Sequence, residues 1–314
     1  MKTRWILFFA LIFPVWQFWN RLPLLLELGS YFGSGFLVLL ISFGTAKFLS
    51  AKFFRKLVDG DGKAVLITGC DTGFGNLLAR RLSRDGFLVY AGCLNASSED
   101  ACELAKEPNI HVLQLDVTKD QEVDSALDAV KSSLGDKKLW AVVANAGVAS
   151  HGLLEWASMP YIKRIFDVNV FGVVSVSKKC LPLLRKSKGR LVITGSVLDV
   201  GSMEMTRKQL SILPRENLDD FSEKEITDWM KAATMIADLT RRDDINEVVD
   251  QMVLAVREAE PKPNYAAWGL WEPVFYLVCR EAPAELVDFL LVVFRKANRA
   301  GLLDGTWRLA RLWT

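Results

Sequence analysis

The chain has 314 residues, with 39 lysines and arginines against 37 aspartates and glutamates, and 51% of it is hydrophobic. That hydrophobic load excludes a disordered chain. The near balance of charge argues against a dedicated nucleic-acid binder, whose phosphate contacts demand a basic excess. Five cysteines without a C-x-x-C pair make neither a disulfide scaffold nor a structural zinc site, so no metal is expected.

Charge is distributed unevenly. Residues 1–46 hold four charges, Lys2, Arg4, Arg21 and Glu27. Within them, Leu28–Ala46 is an uncharged run of 19 residues, close to what a bilayer core requires. Trp5–Trp19 is a second uncharged run of 15, broken by Pro14. No small-residue cleavage site follows the first run, as a signal peptide would need, and two soluble core helices in series at the extreme N-terminus are uncommon. The pattern predicts a membrane anchor over residues 1–56, with Leu28–Ala46 spanning and Trp5–Trp19 crossing or lying at the interface. Lys2 and Arg4 precede this region, and Lys47, Lys52, Arg55 and Lys56 follow it. If both runs cross, both basic flanks fall on the cytosolic side.

Beyond the basic flank, short apolar runs alternate with amphipathic stretches. Ala64–Thr68, Phe87–Ala91, His111–Leu115, Trp140–Val143 and Leu191–Thr194 read as strands of a parallel sheet covered on both faces. Between the third and fourth, Val123, Ala126, Leu127, Val130 and Leu134 recur at helical spacing. Strand–helix alternation of this kind predicts an α/β fold, a Rossmann-type doubly wound parallel sheet.

The first strand runs into Thr68-Gly69-Cys70-Asp71-Thr72-Gly73-Phe74-Gly75, and a helical pattern follows. Glycines here let the backbone approach a pyrophosphate, and the helix N-terminus offers oriented N–H groups to it. The strand–turn–helix context makes dinucleotide binding the expected use of this turn. After the second strand, Leu94-Asn95-Ala96-Ser97 offers neither an acid for ribose hydroxyls nor a base for a 2′-phosphate. The absence of Arg or Lys there tilts the expectation to NAD over NADP.

The T-G-x-x-x-G-x-G spacing resembles that of the short-chain dehydrogenase/reductase family, within it the membrane-bound retinol and hydroxysteroid dehydrogenase branch. Phe87–Asn95, Leu139–Val143 and Leu181–Val192 carry the likeness to the branch. The resemblance assigns cofactor contacts to Thr68, Gly69, Asp71, Gly73, Phe74, Gly75 and Asn95. It adds Asp116 and Val117 beside the adenine ring, and Asn145, Ala146 and Gly147 as the family's N-A-G motif, here preceded by Ala144 where the family has Asn. It makes Ser196 the holder of the substrate oxygen and Asn169 the anchor of a water in the proton relay. Asn169 falls on an apolar stripe, Ile162, Phe166, Val173, Val176, Cys180 and Leu183, where an unpartnered amide is costly; bonding to nearby backbone would equally satisfy it. The resemblance further implies an apolar alcohol or ketone substrate, a homodimer and an endoplasmic reticulum membrane with the soluble part in the cytosol, a mitochondrial membrane being the alternative.

The family's general acid/base is a tyrosine in Tyr-x-x-x-Lys, the lysine lowering its pKa. The five tyrosines, Tyr31, Tyr90, Tyr161, Tyr265 and Tyr276, are followed four places on by Gly35, Leu94, Ile165, Gly269 and Arg280. None supplies the motif. Arg207–Trp229 already resembles the family's later substrate-loop helices, so one helix and one strand, about 30 residues or more, are expected to be missing around Thr206. Arg207-Lys208 reads as solvated surface. Residues 57–206 are thus expected to form the NAD(P)-binding part, and 207–314 the substrate loop and an apolar C-terminal lid. Tyr265–Trp268 is the expected last strand, left without its neighbour. Ile245–Val256 reads as a packing helix, and His111 and His151 receive no role. Two functions compete: a membrane-anchored dehydrogenase of steroids or retinoids, and a catalytically impaired cofactor-binding protein or truncated isoform.

Overall fold

A computed structural model describes residues 33, 36, 39, 42, 56–149, 156–195, 222, 224, 226, 227 and 244–267. The chain divides into two compact units, Met1–Leu57 and Val58–Thr314. In the first, Gly33, Phe36, Leu39 and Ser42 are helical and exposed. These positions lie inside Leu28–Ala46, while Trp5–Trp19 lies outside the described residues. Among the described residues no helix is long and apolar enough to cross a membrane.

The second unit is built on five strands: β1 (Lys63–Thr68), β2 (Leu88–Cys93), β3 (Ile110–Gln114), β4 (Lys138–Ala144) and β5 (Arg190–Ile193). All neighbours pair in parallel, in the order β3-β2-β1-β4-β5. The five runs from Ala64–Thr68 to Leu191–Thr194 each fall on one of these strands, their ends displaced by a residue or two. The connections hold α1 (Gly73–Arg84), α2 (Glu99–Ala105), α3 (Asp120–Ser133), α4 (Met159–Phe166) and α5 (Val173–Ser187), and α6 (Asn246–Arg257) follows later.

Successive side chains of a strand point to opposite faces, and here both faces are apolar. Val65, Ile67, Val89, Ala91, Ala141 and Val143 pack with Leu78 and Leu82 of α1, Leu104 of α2, and Val249, Met252 and Val256 of α6. Ala64, Leu66, Leu88, Tyr90 and Val142 pack with Val123, Leu127 and Val130 of α3, and Val176, Cys180 and Leu184 of α5. Each large aliphatic side chain so buried contributes about 1.5–3 kcal/mol, which is why uninterrupted apolar runs, not alternating ones, specify these strands. Around β5, α6 is tied down by polar groups. Trp140 Nε1 donates to the Val256 carbonyl at 2.9 Å, and Arg190 donates to the carbonyls of Ala255 and Glu258 at 3.2 and 2.6 Å. The Arg190 guanidinium also lies over the Trp140 ring.

Two expectations are corrected. The long helical stretch around Asn169 is interrupted: a π-helical turn, Asp167–Gly172, separates α4 from α5. The expected stripe is only partly buried: Phe166, before the turn, is 54% exposed, while Val176, Cys180 and Leu184, not Leu183, are the buried residues of α5. The expected last strand is not formed over Tyr265–Ala267, which are irregular, and Trp268 lies outside the described residues. No ladder partner is available there among the described residues. The Tyr265 hydroxyl instead donates to Glu258 Oε2 at 2.6 Å and accepts from the Lys262 N–H at 2.9 Å. The outer edge of β5 likewise pairs with no strand among the described residues.

Candidate dinucleotide and catalytic site

The strand order reverses between β1 and β4, and in open parallel sheets ligands bind outside the carboxyl ends of the strands at that point. The glycine turn leaves β1 and the Asn145–Gly147 loop leaves β4, so the topology brings them side by side. Their junction is closed by Thr68, which is 1% exposed. Its hydroxyl accepts the N–H groups of both Asn145 and Ala146, at 3.0 and 2.9 Å. Asn145 Nδ2 in turn donates to the carbonyls of Thr68 and Gly69, both at 3.1 Å.

Such close backbone approach leaves no room for side chains. A Cβ on Gly69 would stand 2.8 Å from the Ala146 Cα, and the residue holds a φ of +72°. On Gly75, a Cβ would stand 2.1 Å from the Gly69 carbonyl oxygen and 2.8 Å from Asn145 Nδ2. The turn glycines are therefore fixed by backbone packing and not by local flexibility alone. Around Gly73 the space is open, and Phe74 beside it is 37% exposed.

The α1 terminus fits a dinucleotide phosphate. Ser98 caps α2 and Ser158 caps α4 through their side chains, whereas α3 and α6 carry acidic residues in their first turns. The N-cap residue of α1, Thr72, makes no side-chain bond, and its first turn holds no acid. Its leading N–H groups and positive dipole end thus lack the side-chain partners found elsewhere, as an anion site requires.

Other anticipated residues lie at the carboxyl ends of neighbouring strands. Asp71 accepts the N–H groups of Leu94 and Asn95 at 2.9 and 3.0 Å, and Asn95 Oδ1 accepts that of Ser97. Asp116 bonds the N–H and hydroxyl of Thr118. Val117 is buried against Gly172 of the π turn, where a Cβ would come within 2.6 Å of its Cγ2. Asn169 is exposed rather than buried in a stripe. Its Oδ1 accepts the Val148 N–H at 2.9 Å and its Nδ2 donates to the Val148 carbonyl at 2.7 Å. Ser196 lies outside the described residues, as do Thr206, Arg207 and Lys208.

Two contributors have no motif to announce them. The Tyr161 hydroxyl donates to the Ala149 carbonyl at 2.6 Å, so that Tyr161 and Asn169 hold the loop after β4 from one side while Thr68 holds it from the other. Gln114, at the end of β3, accepts the Ala96 N–H at 3.0 Å and donates to the Leu94 carbonyl at 2.8 Å. Burial places two thiols at the site: Cys70, pushed well up, and Cys93, pushed up to about 12 by burial and then by the Asp71 charge. Both stay neutral near pH 7. No group of His, Cys, Asp or Glu among the described residues could hold a metal ion.

A parallel sheet with a glycine turn, an uncapped helix and a clamped loop at its switch point defines a dinucleotide-binding α/β protein. The short chain dehydrogenase family profile matches residues 63–207. Mouse retinol dehydrogenase 7 is 31% identical, the match covering 73% of this chain and 87% of that one. Mouse estradiol 17-beta-dehydrogenase 2 is 37% identical, with 67% and 58% covered. Against bovine mitochondrial D-beta-hydroxybutyrate dehydrogenase, 42% identical, the chain spans 48% of that protein's length. Among solved structures, a short-chain type dehydrogenase/reductase from Mycobacterium marinum is 26% identical over 46% of this chain and 59% of that one, with a TM-score of 0.41. The chain belongs to the short-chain dehydrogenase family, in the branch of the retinol and hydroxysteroid dehydrogenases. Family and fold together imply a nicotinamide cofactor.

Proposed function

We propose that this chain is a membrane-anchored member of the branch that binds NAD at the glycine turn but turns over its alcohol substrate far more slowly than a complete enzyme. The observation carrying this reading is a contrast: the Thr68–Asn145–Ala146 clamp and its glycines are all present, while no Tyr-x-x-x-Lys exists anywhere in the sequence.

The nicotinamide, when bound, supplies or accepts a hydride at the substrate carbon. The chain's own part is to hold the cofactor at the ends of β1 and β4 and to polarise the substrate oxygen through Ser196. Asn169 positions the loop after β4 through Val148. Without the Tyr-x-x-x-Lys pair to deliver or remove the oxygen's proton, general acid/base catalysis is lost, a factor of about 10²–10⁴. The match with retinol dehydrogenase 7 runs 278 positions, yet 73% of 314 residues is about 229, a shortfall of about 49 positions that leaves room for a missing segment of this size.

The names of the relatives matched over most of their length or of this chain, retinol dehydrogenase 7 and estradiol 17-beta-dehydrogenase 2, favour an apolar alcohol, whereas the hydroxybutyrate dehydrogenase, matched over 48% of its length, points to a hydroxy acid. The uncharged Leu28–Ala46 run and its helical positions support the anchor, with the endoplasmic reticulum as its membrane and the soluble part in the cytosol. The test uses the full chain in detergent, with NADH fluorescence titration and turnover of estradiol and retinol with NAD. Binding of NADH with turnover lower by the factor above is expected. Turnover at the rate of the complete mouse relatives overturns the impairment, and failure to bind NADH overturns the cofactor site.

A further inference from the structure

In dinucleotide-binding sheets the residue about 20 positions beyond the glycine turn, at the end of the second strand, decides between a ribose hydroxyl and a 2′-phosphate. Here Asn95 stands 20 residues after Gly75, and Leu94–Ser97 carries no charge. A carboxylate nevertheless reaches this strand end from a different element. Asp71 lies in the glycine turn after β1, and its two oxygens accept the N–H groups of Leu94 (2.9 Å) and Asn95 (3.0 Å). No Lys or Arg among the described residues forms an ion pair with it. A carboxylate has about four lone-pair sites, and the two amides occupy one on each oxygen, leaving acceptors on both.

The frame around Asp71 is rigid. Gln114 bonds the Ala96 N–H and the Leu94 carbonyl, and Asn95 Oδ1 holds the Ser97 N–H. The Asp71 charge is also felt at the last residue of β2, where it adds to burial in raising the Cys93 thiol.

We propose that Asp71 is the specificity-determining residue for the cofactor, selecting the non-phosphorylated dinucleotide by presenting a carboxylate, delivered from the glycine turn, where Asn95 supplies none. The inference rests on the reading that a dinucleotide binds at this turn. Hydroxyls of the adenosine ribose are donors that a carboxylate with free lone pairs accepts, whereas a 2′-phosphate brings two further negative charges and finds no cation in Leu94–Ser97. Repulsion between such groups at a partly exposed site discriminates by about tenfold or more.

The test measures dissociation constants of NADH and NADPH by fluorescence titration of the full chain in detergent, with no turnover required. The native chain should bind NADH about tenfold tighter than NADPH or better, the gap narrowing as salt rises. Asp71→Asn, which keeps the shape and one acceptor, should close most of that gap chiefly by tightening NADPH. Adding Asn95→Arg to it should reverse the preference. If Asp71→Asn or Asp71→Ser weakens both cofactors alike with the ratio unchanged, Asp71 merely holds the loop and the proposal fails. It also fails if the native chain binds the two equally, which leaves the dinucleotide site standing. Binding of neither cofactor overturns both readings together.

Discussion

The carboxyl ends of β1 and β5 lie two strands apart in one sheet, and they are built on different principles. At β1 the side chains of Thr68 and Asn145 are both engaged. Thr68 serves two amides, Asn145 serves two carbonyls, and glycines fill spaces no other residue enters. At β5 the ladder ends with the Thr194 N–H on the Ala144 carbonyl, and Ile193 is 58% exposed. The first end is completed by contacts among residues 58–149, close in sequence or fixed by sheet register. The second, in a complete parallel sheet of this family, depends on chain that follows Ser196. On the proposed reading cofactor binding and catalysis are separable in this fold: a lesion after β5 would remove the second and leave the hydrogen bonds of the first intact.

Substitutions at the two ends should differ accordingly. The largest effect belongs to Gly75→Ala, because its Cβ would collide with the Gly69 carbonyl at 2.1 Å and neither backbone can yield without opening the turn. Overpacking of this kind costs about 1–3 kcal/mol, and here it also displaces the phosphate-facing backbone. NADH affinity should fall at least about tenfold, with a lower unfolding midpoint; unchanged affinity would show that the turn does not cradle the cofactor. Next comes Thr68→Val, which strands two partly buried amides, up to about 1–3 kcal/mol each. Thermal unfolding should reveal the loss, and Thr68→Ser should recover most of it. If valine is tolerated within about 0.5 kcal/mol, the clamp contributes little and the contrast between the two ends dissolves.

The sheet was legible because its information is local: five short apolar runs, with β1 and β2 almost wholly buried and β3 and β5 partly so, read as strands of one parallel sheet. The glycine turn was legible because spacing and context coincide. What stayed hidden depended on contacts across the sheet. Nothing in the sequence announces that Asp71 reaches over to Leu94 and Asn95, or that Gln114 braces the same segment, since those partners lie 18–24 residues apart. Asn169 was placed on a buried stripe because periodicity assumes a uniform helix. A π turn carries an extra residue, shifting the phase of everything after it, and no residue type in Asp167–Gly172 signals that insertion. The Tyr265 strand failed for a related reason, because a strand depends on pairing with a neighbour and its own apolar residues do not specify one.

The β5 end should respond to charge more than to volume. Ile193→Lys sits on an exposed position of an edge whose partner is absent among the described residues. Lysine at such an edge discourages strand-to-strand association while costing within about 0.5 kcal/mol of stability. Light scattering should show less aggregation with an unchanged unfolding midpoint. A large drop in midpoint would mean that the edge is covered, and that the two ends are less different than they look.

The smallest effect concerns the thiols, which sharpen the same comparison without any substitution. Cys70 and Cys93 are buried at the clamped end, and Cys102 is exposed on α2. Brief alkylation at pH 8 should modify Cys102 and spare the other two, because a thiol held neutral is a poor nucleophile. Above pH 9 the sign for stability follows from linkage. In the unfolded chain Cys93 loses its proton near its ordinary value of 9.0, whereas in the folded chain it keeps it up to about 12. The unfolded state then binds fewer protons, so stability falls as pH climbs between those two values and is unaffected by this group below them. Cys93→Ser should flatten the decline. If it does not, and Cys93 is alkylated as fast as Cys102, the end of β2 opens to solvent far more readily than its hydrogen bonds to Asp71 and Gln114 allow.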